Sequence, residues 1–173
     1  LYMNPVDKVN KLSKSDFIST FGNVFEKTTR IAEKVFNFKP FGNFENLSEK
    51  FLIIFENENE KNCLKIFNAH PELAIKKIMT TDSRKEQSNA KLNQCTEEEL
   101  KEFIELNKDY KNKFGFPFII AVKGKNKSEI LENFKKRIKN NKNVEFEEAK
   151  KQVKKIASLR IEELKKIKQL SEV

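Results

Sequence analysis

The sequence predicts an all-α fold, a compact single-domain bundle spanning residues 1–173, with one short extended segment near residues 116–122. Three observations lead to this prediction. Apolar residues recur at spacings of three and four along most of the chain, as on a helix with one buried face. The chain has four glycines and four prolines, few for a turn-rich β fold. Its sixteen phenylalanines supply apolar surface for one core.

The N-terminal part of the chain predicts four helices. Their apolar residues are Phe17, Phe21, Val24 and Phe25; Ile31 and Val35; Phe51, Leu52 and Phe55; and Leu64, Ile66 and Phe67. Serine caps are predicted at Ser13 or Ser15 for the first helix and at Ser48 for the third. The fourth helix must stop near His70, because a residue before proline is disfavoured in the helical region. Pro71 suits the first position of a further helix.

The C-terminal part predicts the remaining helices from their caps. Two capping boxes indicate helix starts, namely Ser83 with Glu86 and Thr96 with Glu99. The second box begins a long helix that Gly115 closes. The apolar run at 116–122 is too short for a helix, so we expect an extended buried segment. Ser128 is predicted to cap the next helix, and the last helix is predicted over 146–167.

Composition excludes several functional classes. No apolar run approaches the roughly 20 residues that cross a bilayer, and no signal-peptide pattern is visible. Cys63 and Cys95 are too few for a disulfide framework and, with one histidine, make a poor zinc site. We therefore expect a reduced, cytoplasmic setting, no membrane partner and no metal. The net charge of +9 fits either an electrostatic footprint for an anionic partner or lysine-rich composition; interspersed acids favour the second, and no nucleic-acid partner is expected.

Two residues do not fit a plain helix bundle. Arg160 continues the apolar stripe of the last helix, where a guanidinium is costly to bury without an anion. It is half of a structural ion pair, an arginine whose stem packs while its head reaches water, or a clamp for a ligand carboxylate. His70, the one histidine, would sit at the N-terminus of a helix begun by Pro71, where the dipole lowers an imidazole pKa. It is either a backbone-bonded boundary residue or an acid–base group, just as Glu86 is either a cap or a functional carboxylate.

Motifs along most of the chain resemble one known family. The motifs are His70-Pro71-Glu72-Leu73-Ala74, Ser83-x-x-Glu86-Gln87-x-x-Ala90-x-Leu92, Leu106-Asn107-x-x-Tyr110-x-x-Lys113-Phe114-Gly115-Phe116-Pro117-Phe118-Ile119, Arg137-Ile138-x-Asn140 with Glu145, and Ile156-x-x-Leu159-Arg160. In this order they resemble the 2-oxo-4-hydroxy-4-carboxy-5-ureidoimidazoline (OHCU) decarboxylases. Two positions depart from the family pattern: Lys91 stands where glycine is usual, and Thr28-Thr29 where Ser-Pro or Thr-Pro is common.

The resemblance implies an all-helical, cofactor-independent enzyme, commonly a homodimer, that decarboxylates OHCU to (S)-allantoin in the last step of urate oxidation. It implies His70 as the acid–base group, Glu86 as the carboxylate that holds the imidazole or the substrate hydroxyl, and Arg160 as the cation facing the anionic substrate. The residues expected to bind the small-molecule ureidoimidazoline substrate are Pro71, Ser83, Gln87, Phe118, Ile119, Ile120, Ala121 and Val122. No Gly-rich phosphate loop is present, which agrees with chemistry that needs no nucleotide cofactor.

Two other functions remain open from the sequence. A basic helical module that binds nucleic acid would account for the charge and would need neither His70 nor Glu86. A relative that has lost decarboxylase activity and binds a ureide would account for the motifs, and Lys91 keeps this possibility open.

Overall fold

The computed structural model describes residues 6–75 and 79–167. Within those ranges the chain forms helices and no strand, which confirms the all-α prediction. The helices are α1 (Val6–Asn10), α2 (Lys14–Phe21), α3 (Thr29–Phe36), α4 (Phe44–Glu56), α5 (Glu60–Ala69), α6 (Thr81–Asn89), α7 (Glu97–Phe114), α8 (Lys127–Arg137) and α9 (Lys142–Ile167). None of the helices in this part of the chain is long and apolar enough to cross a membrane.

The chain divides into two compact units. The first comprises Leu1–Ile66 and Lys154–Val173, and the second comprises Phe67–Val153. Each unit is described separately below. That the whole chain is one domain stays a prediction.

Phenylalanines from α2, from the turn after it and from α4 pack together in the core of the first unit. The rings of Phe17 and Phe21 lie 4.8 Å apart, and those of Phe25 and Phe55 stack at 4.9 Å. The prediction that the first helix continues to Phe25 is wrong, because α2 ends at Phe21. The following residues turn toward the core, so that Val24 and Phe25 are buried without being helical.

Helix α7, helix α8 and the segment 116–122 form most of the core of the second unit. Phe118 stacks on Phe134 of α8 with 3.9 Å between the ring centres, and Tyr110 of α7 meets the edge of Phe118 at 5.4 Å. Every residue of 116–122 is buried, and the segment lies outside the helices without forming a strand. The predicted non-helical segment is therefore present, and side-chain packing holds it.

Several helix starts differ from the sequence prediction. Asn43, Thr80 and Asn126 cap α4, α6 and α8 by accepting a backbone N–H, so the predicted starts at Ser48, Ser83 and Ser128 are wrong. The predicted cap Ser13 is confirmed by the hydrogen bond from the Asp16 N–H at 3.1 Å. The box of Thr96 with Glu99 is also confirmed, with both of its hydrogen bonds present. Gly115 closes α7 in a left-handed conformation at φ 81°, as predicted.

Candidate active site

His70 follows the last residue of α5 and begins a loop. Its backbone N–H donates to Phe67 O at 3.1 Å, and the residue is 9% exposed. The predicted helix starting at Pro71 is not formed, because residues 71–75 have no helical structure. The helix dipole invoked for a neutral imidazole is therefore absent, and that part of the sequence argument is wrong. Ala74 in this loop has φ +62°, a left-handed conformation that disfavours a continuing helix.

Helix α6 turns a polar face toward the interior of the second unit. All nine of its residues are polar, yet Ser83 is 3% exposed and Gln87 is 7% exposed. Glu86 lies between these positions and is half-buried. Because residues three and four apart share a helix face, the predicted residues of α6 lie on or beside the same buried surface.

Two side-chain amides hold the loop that follows His70. Gln87 of α6 accepts a hydrogen bond from the Ala74 N–H at 3.0 Å and donates to Glu72 O at 3.2 Å. Asn107 of α7 donates to Leu73 O at 3.0 Å and is 2% exposed. Three successive residues of the loop are thus bonded to side chains of two helices.

Side chains also hold the backbone of the segment 116–122. Arg137 of α8 donates from Nη1 to Ile119 O at 2.7 Å, and its guanidinium lies 4.3 Å from the centre of the Phe118 ring. The Ala121 N–H donates to Gln152 Oε1 at 3.0 Å. Of the backbone groups expected to bind substrate, the carbonyl of Ile119, the N–H of Ala121 and the carbonyl of Val122, which accepts from the Lys125 N–H at 3.0 Å, therefore already have protein partners. Ile120 and Val122 complete this buried run.

A buried carboxylate organises the side chains behind this segment. Glu145 has no exposed surface and accepts hydrogen bonds from Tyr110 Oη at 2.6 Å and from Arg137 Nε at 2.7 Å. Asn140 Nδ2 donates to its other oxygen at 3.1 Å. Burial, followed by the hydrogen bond to Glu145, raises the pKa of the Tyr110 phenol well above its usual range. The network therefore consists of the neutral Tyr110 phenol and the ion pair of Glu145 with Arg137. Arg137 connects it to the backbone of the segment 116–122.

Arg160 lies on the buried face of α9 in the first unit, as its place on the apolar stripe predicted. It is 5% exposed and donates from Nη1 to Asn23 O at 2.8 Å. The same nitrogen lies 3.4 Å from Oε1 of Glu26, which has no exposed surface. Asn23 Nδ2 also donates to Glu26 at 3.2 Å. A buried carboxylate partner therefore exists within the unit, as the ion-pair interpretation requires.

A cavity of about 420 Å³ lies in the second unit. It is lined by Ala74, Ile75, Met79, Arg84, Gln87, Ser88, Leu92, Asn93, Cys95 and Leu100. Gln87 is shared between this lining and the site residues expected from the sequence, so the cavity adjoins the loop after His70. In the described part of the chain, no group of three or more histidines, cysteines and carboxylates is arranged to hold a metal ion.

The chain is similar in sequence to proteins of one known family. Residues 10–162 match the family described as OHCU decarboxylase. The chain belongs to this family. It is 39% identical over 144 residues to a uric acid degradation bifunctional protein of Bacillus sp. (strain TB-90), covering 83% of the chain and 29% of that protein. It is 31% identical to the 2-oxo-4-hydroxy-4-carboxy-5-ureidoimidazoline decarboxylase of Haloferax volcanii, covering 82% of the chain and 84% of that protein.

Two crystal structures share the fold of this family member. One is of OHCU decarboxylase in the presence of (S)-allantoin, with TM-score 0.70 and 29% identity over 84% of the chain and 96% of that protein. The other is of (S)-allantoin synthase, with TM-score 0.75 and 24% identity over 92% of the chain and 53% of that protein. The chain spans only 29% of the length of each of two bifunctional relatives, the protein of Bacillus sp. (strain TB-90) and PucL of Bacillus subtilis.

Sequence reasoning missed the anchoring roles of Asn107, Gln152 and Glu145. Asn107 and Gln152 carry no local signal, because an amide on a helix is usually a surface residue. Glu145 could have been found, since it lies four residues before Ala149 on the stripe that Arg160 continues. The predicted stripe began at Phe146, which is half-buried.

Proposed function

We propose that the chain catalyses the decarboxylation of OHCU to (S)-allantoin without a cofactor. The observation that carries the proposal is membership of the OHCU decarboxylase family, with His70, Glu86 and Arg160 retained at the motif positions. In OHCU the carboxylate sits on the carbon that also bears the hydroxyl, next to a carbon doubly bonded to a ring nitrogen. When the bond to CO₂ breaks, its electron pair flows toward that C=N group. The ring nitrogen takes up one proton and the neighbouring carbon a second, while the hydroxyl gives up its proton and its carbon becomes a carbonyl.

His70 is proposed to move the protons. It relays the proton of the substrate hydroxyl and delivers a proton to one face of the neighbouring carbon, which sets the (S) configuration. Its 9% exposure supports this role, because a site closed to water limits proton exchange with the solvent during the reaction. Glu86, half-buried on α6 in the same unit, is proposed to orient the imidazole or the substrate hydroxyl and to stabilise a developing imidazolium.

The binding residues are proposed to match a planar ligand rich in donors and acceptors. Pro71 packs on the ring, and Ser83 and Gln87 provide polar groups from the buried face of α6. The backbone of residues 118–122 provides further donors and acceptors. Ile120 and the Val122 N–H are favoured, because Ile119 O, the Ala121 N–H and Val122 O are bonded to Arg137, Gln152 and the Lys125 N–H. Residues 118–122 are all buried, which would exclude water from the reacting carbon.

The experiment that tests the proposal is a coupled assay. OHCU is generated from urate with uricase and hydroxyisourate hydrolase, the chain is added, and (S)-allantoin is followed by circular dichroism. Spontaneous decay yields racemic allantoin, so a chiral signal above the background reports catalysis. Its absence would show that the chain is not an OHCU decarboxylase, and retained binding of allantoin in that case would identify a ureide-binding relative.

The role of His70 is tested by His70→Asn in the same assay. General acid–base help is worth about 10²–10⁴-fold, so turnover should fall by at least about 10²-fold with the helical content unchanged. Asn68→Asp, which changes an exposed residue two positions earlier, serves as the control. Near-normal turnover in His70→Asn would remove the histidine from the mechanism.

Arg160 is proposed to bind the anionic substrate while paired with Glu26. The variants Arg160→Lys and Glu26→Gln separate this role from a purely structural ion pair. Substrate binding predicts that Arg160→Lys raises KM by at least about tenfold in protein that remains folded. A purely structural pair predicts a lower melting temperature in both variants with unchanged KM. Arg30→Lys, in the pair that Arg30 forms with Glu58 at 2.6 Å, is the matched control.

A homodimer and a cytoplasmic location complete the proposal. The homodimer is proposed from the family resemblance, and sedimentation should then give twice the chain mass of 20.4 kDa. A sedimenting mass of one chain would contradict it. The cytoplasmic location is proposed because two cysteines are too few for a disulfide framework. Fractionation of the source cells with an activity assay tests it.

A further inference from the structure

We propose that Gln87 and Asn107 are positioning residues, which fix the backbone of residues 72–74 and so hold the His70 loop against α6. We call these two side chains the amide clamp. The inference rests on the proposed function, in which His70 moves protons and Glu86 orients it. It gives Gln87 a role in turnover in addition to the substrate contact expected from the sequence, and it assigns a role to Asn107.

The hydrogen bonds of the clamp reach three consecutive residues. Gln87 binds the C=O of Glu72 and the N–H of Ala74, and Asn107 binds the C=O of Leu73, all within 3.2 Å. All three hydrogen bonds come from side chains of α6 and α7, so the clamp ties the backbone of the loop to two helices.

An amide is the group that this geometry requires. It carries a carbonyl acceptor and an NH₂ donor on one plane, so Gln87 can bond to a C=O and an N–H of the same loop. A carboxylate in its place would keep the acceptor for Ala74 but would present an oxygen to Glu72 O. The clamp uses one N–H and one lone pair of Gln87, so the other N–H and lone pair are left for a substrate contact.

The clamp connects the two proposed proton-handling residues within the second unit. Gln87 follows Glu86 on α6, and residues 72–74 follow His70 by two to four positions. A shift of the loop therefore changes the geometry between the imidazole and the Glu86 carboxylate. Because a misplacement of 1 Å can cost about 10²-fold in rate, the clamp should act on kcat.

The chain offers a matched control for these substitutions. Asn10 makes the same kind of bidentate contact in the first unit, where its Nδ2 donates to Phe41 O at 2.9 Å and its Oδ1 accepts from the Phe41 N–H at 2.8 Å. Asn10→Asp and Gln87→Glu each keep the acceptor and lose the donor. Neither Asn10 nor Phe41 has a proposed part in binding or catalysis, so Asn10→Asp reports loss of stability alone.

The kinetic test measures kcat and KM for Gln87→Glu, Asn107→Asp and Asn10→Asp in the coupled assay. We expect kcat to fall by roughly 10–100-fold in the two clamp variants and Asn10→Asp to keep wild-type kcat. KM should change by less than about threefold in Asn107→Asp, whereas Gln87→Glu also loses the N–H left for the substrate and should raise KM. In a His70→Asn background, Gln87→Glu should lower the residual kcat by less than about twofold. If the clamp acts through His70, its effect on kcat is lost once the imidazole is gone, so the effects of the two substitutions are not additive. Clamp variants that behave like Asn10→Asp, or a Gln87→Glu effect undiminished in the His70→Asn background, would overturn the proposal.

A second readout does not depend on activity. His70 is the one histidine of the chain, so its imidazole gives unambiguous NMR signals. Gln87→Glu and Asn107→Asp should move those signals, and Asn10→Asp should leave them in place. Unmoved signals would overturn the clamp. If the signals move but the wild-type chain makes no (S)-allantoin in the coupled assay, the proposed function is refuted and the clamp is still supported.

Discussion

Replacing Lys91 by glycine should stabilise the protein. Lys91 has φ +60°, in the left-handed region, immediately after the last residues of α6. Its N–H donates to Ser88 O at 2.9 Å, and the Leu92 N–H donates to Gln87 O at 2.9 Å. This pair of bonds is the Schellman motif, whose left-handed position is most often glycine. The structure thus gives a physical reason for the glycine that is usual here in the family.

The size of the effect follows from two opposing terms. A left-handed backbone costs a residue with a Cβ about 1–2 kcal/mol. Glycine removes that cost but loses more backbone entropy on folding, which offsets about 0.5–1 kcal/mol. The Lys91 side chain is exposed, so its loss removes little packing. Lys91→Gly should therefore add roughly 0.5–1 kcal/mol to the free energy of unfolding, and raise Tm by about 1–4 °C for a chain of this length.

Thermal unfolding followed by circular dichroism at 222 nm measures this change. The control is Lys101→Gly, at an exposed position inside α7, where glycine should cost about 1 kcal/mol. Lys91→Ala keeps a Cβ and should differ little from the wild type. If Lys91→Gly lowers Tm as Lys101→Gly does, the strain argument at this position is refuted.

Three further predictions concern stability and reactivity. Burial raises the pKa of Glu58, but hydrogen bonds, led by that from Arg30, outweigh it and hold the pKa below its ordinary 4.5. The charged carboxylate therefore stabilises the fold above that pH, and this stabilisation is lost as the pH falls below it. Tm should fall less steeply with acid in Glu58→Gln than in the wild type, and an equally steep fall would contradict this. Burial, then the charge of Glu99, raises the pKa of the Cys95 thiol above 9.0, so at pH 8 it should react with Ellman's reagent more slowly than free cysteine, and equal rates would oppose the assignment. Asn126→Ala should cost about 1 kcal/mol in urea unfolding because it removes the α8 cap, while Ser128→Ala should cost little, and the reverse order would restore the sequence prediction.

Helix periodicity could be read from the sequence more reliably than helix starts. The eight helices α2 to α9 correspond to predicted ones, whereas the five-residue α1 was missed. Starts failed where several polar residues compete for the cap, because Asn, Ser and Thr all accept the same N–H. The winning caps lie two to five residues upstream of the predicted ones, and they are Asn43, Thr80 and Asn126.

The backbone around the candidate site was less predictable from the sequence than the helices that flank it. Pro71 is compatible with a helix start, and sequence alone could not show that the chain from His70 onward stays in a loop. That loop accepts hydrogen bonds from Gln87 and Asn107, which lie 15 and 34 residues from their carbonyl partners. Such contacts have no local pattern, since either amide would suit an exposed helix position equally well.

Two charged residues on the apolar stripe of α9 also show which features can be inferred locally and which depend on the fold. Glu145 and Arg160 each interrupt a helix face otherwise formed by Ala149, Val153 and neighbouring apolar residues, so the sequence predicts that each needs a buried partner. The partner of Glu145, Arg137, lies eight residues away, and that of Arg160, Glu26, lies 134 residues away. The requirement for a partner is set by desolvation and can be inferred locally. Which residue meets it depends on the fold.

Helix α6 has a buried face that is entirely polar. A helix without apolar residues gains little from hydrophobic burial, so its inward face must be held by hydrogen bonds. Gln87 supplies two of them to the loop that begins at His70, and Thr80 caps the helix. Gln87, which helps to fix α6 in place, is also the neighbour of Glu86 in the sequence. The polar face of α6 would therefore serve both the fold and the proposed reaction. A substitution that made this face apolar could preserve the helix and still abolish turnover, which separates the requirements of folding from those of the reaction.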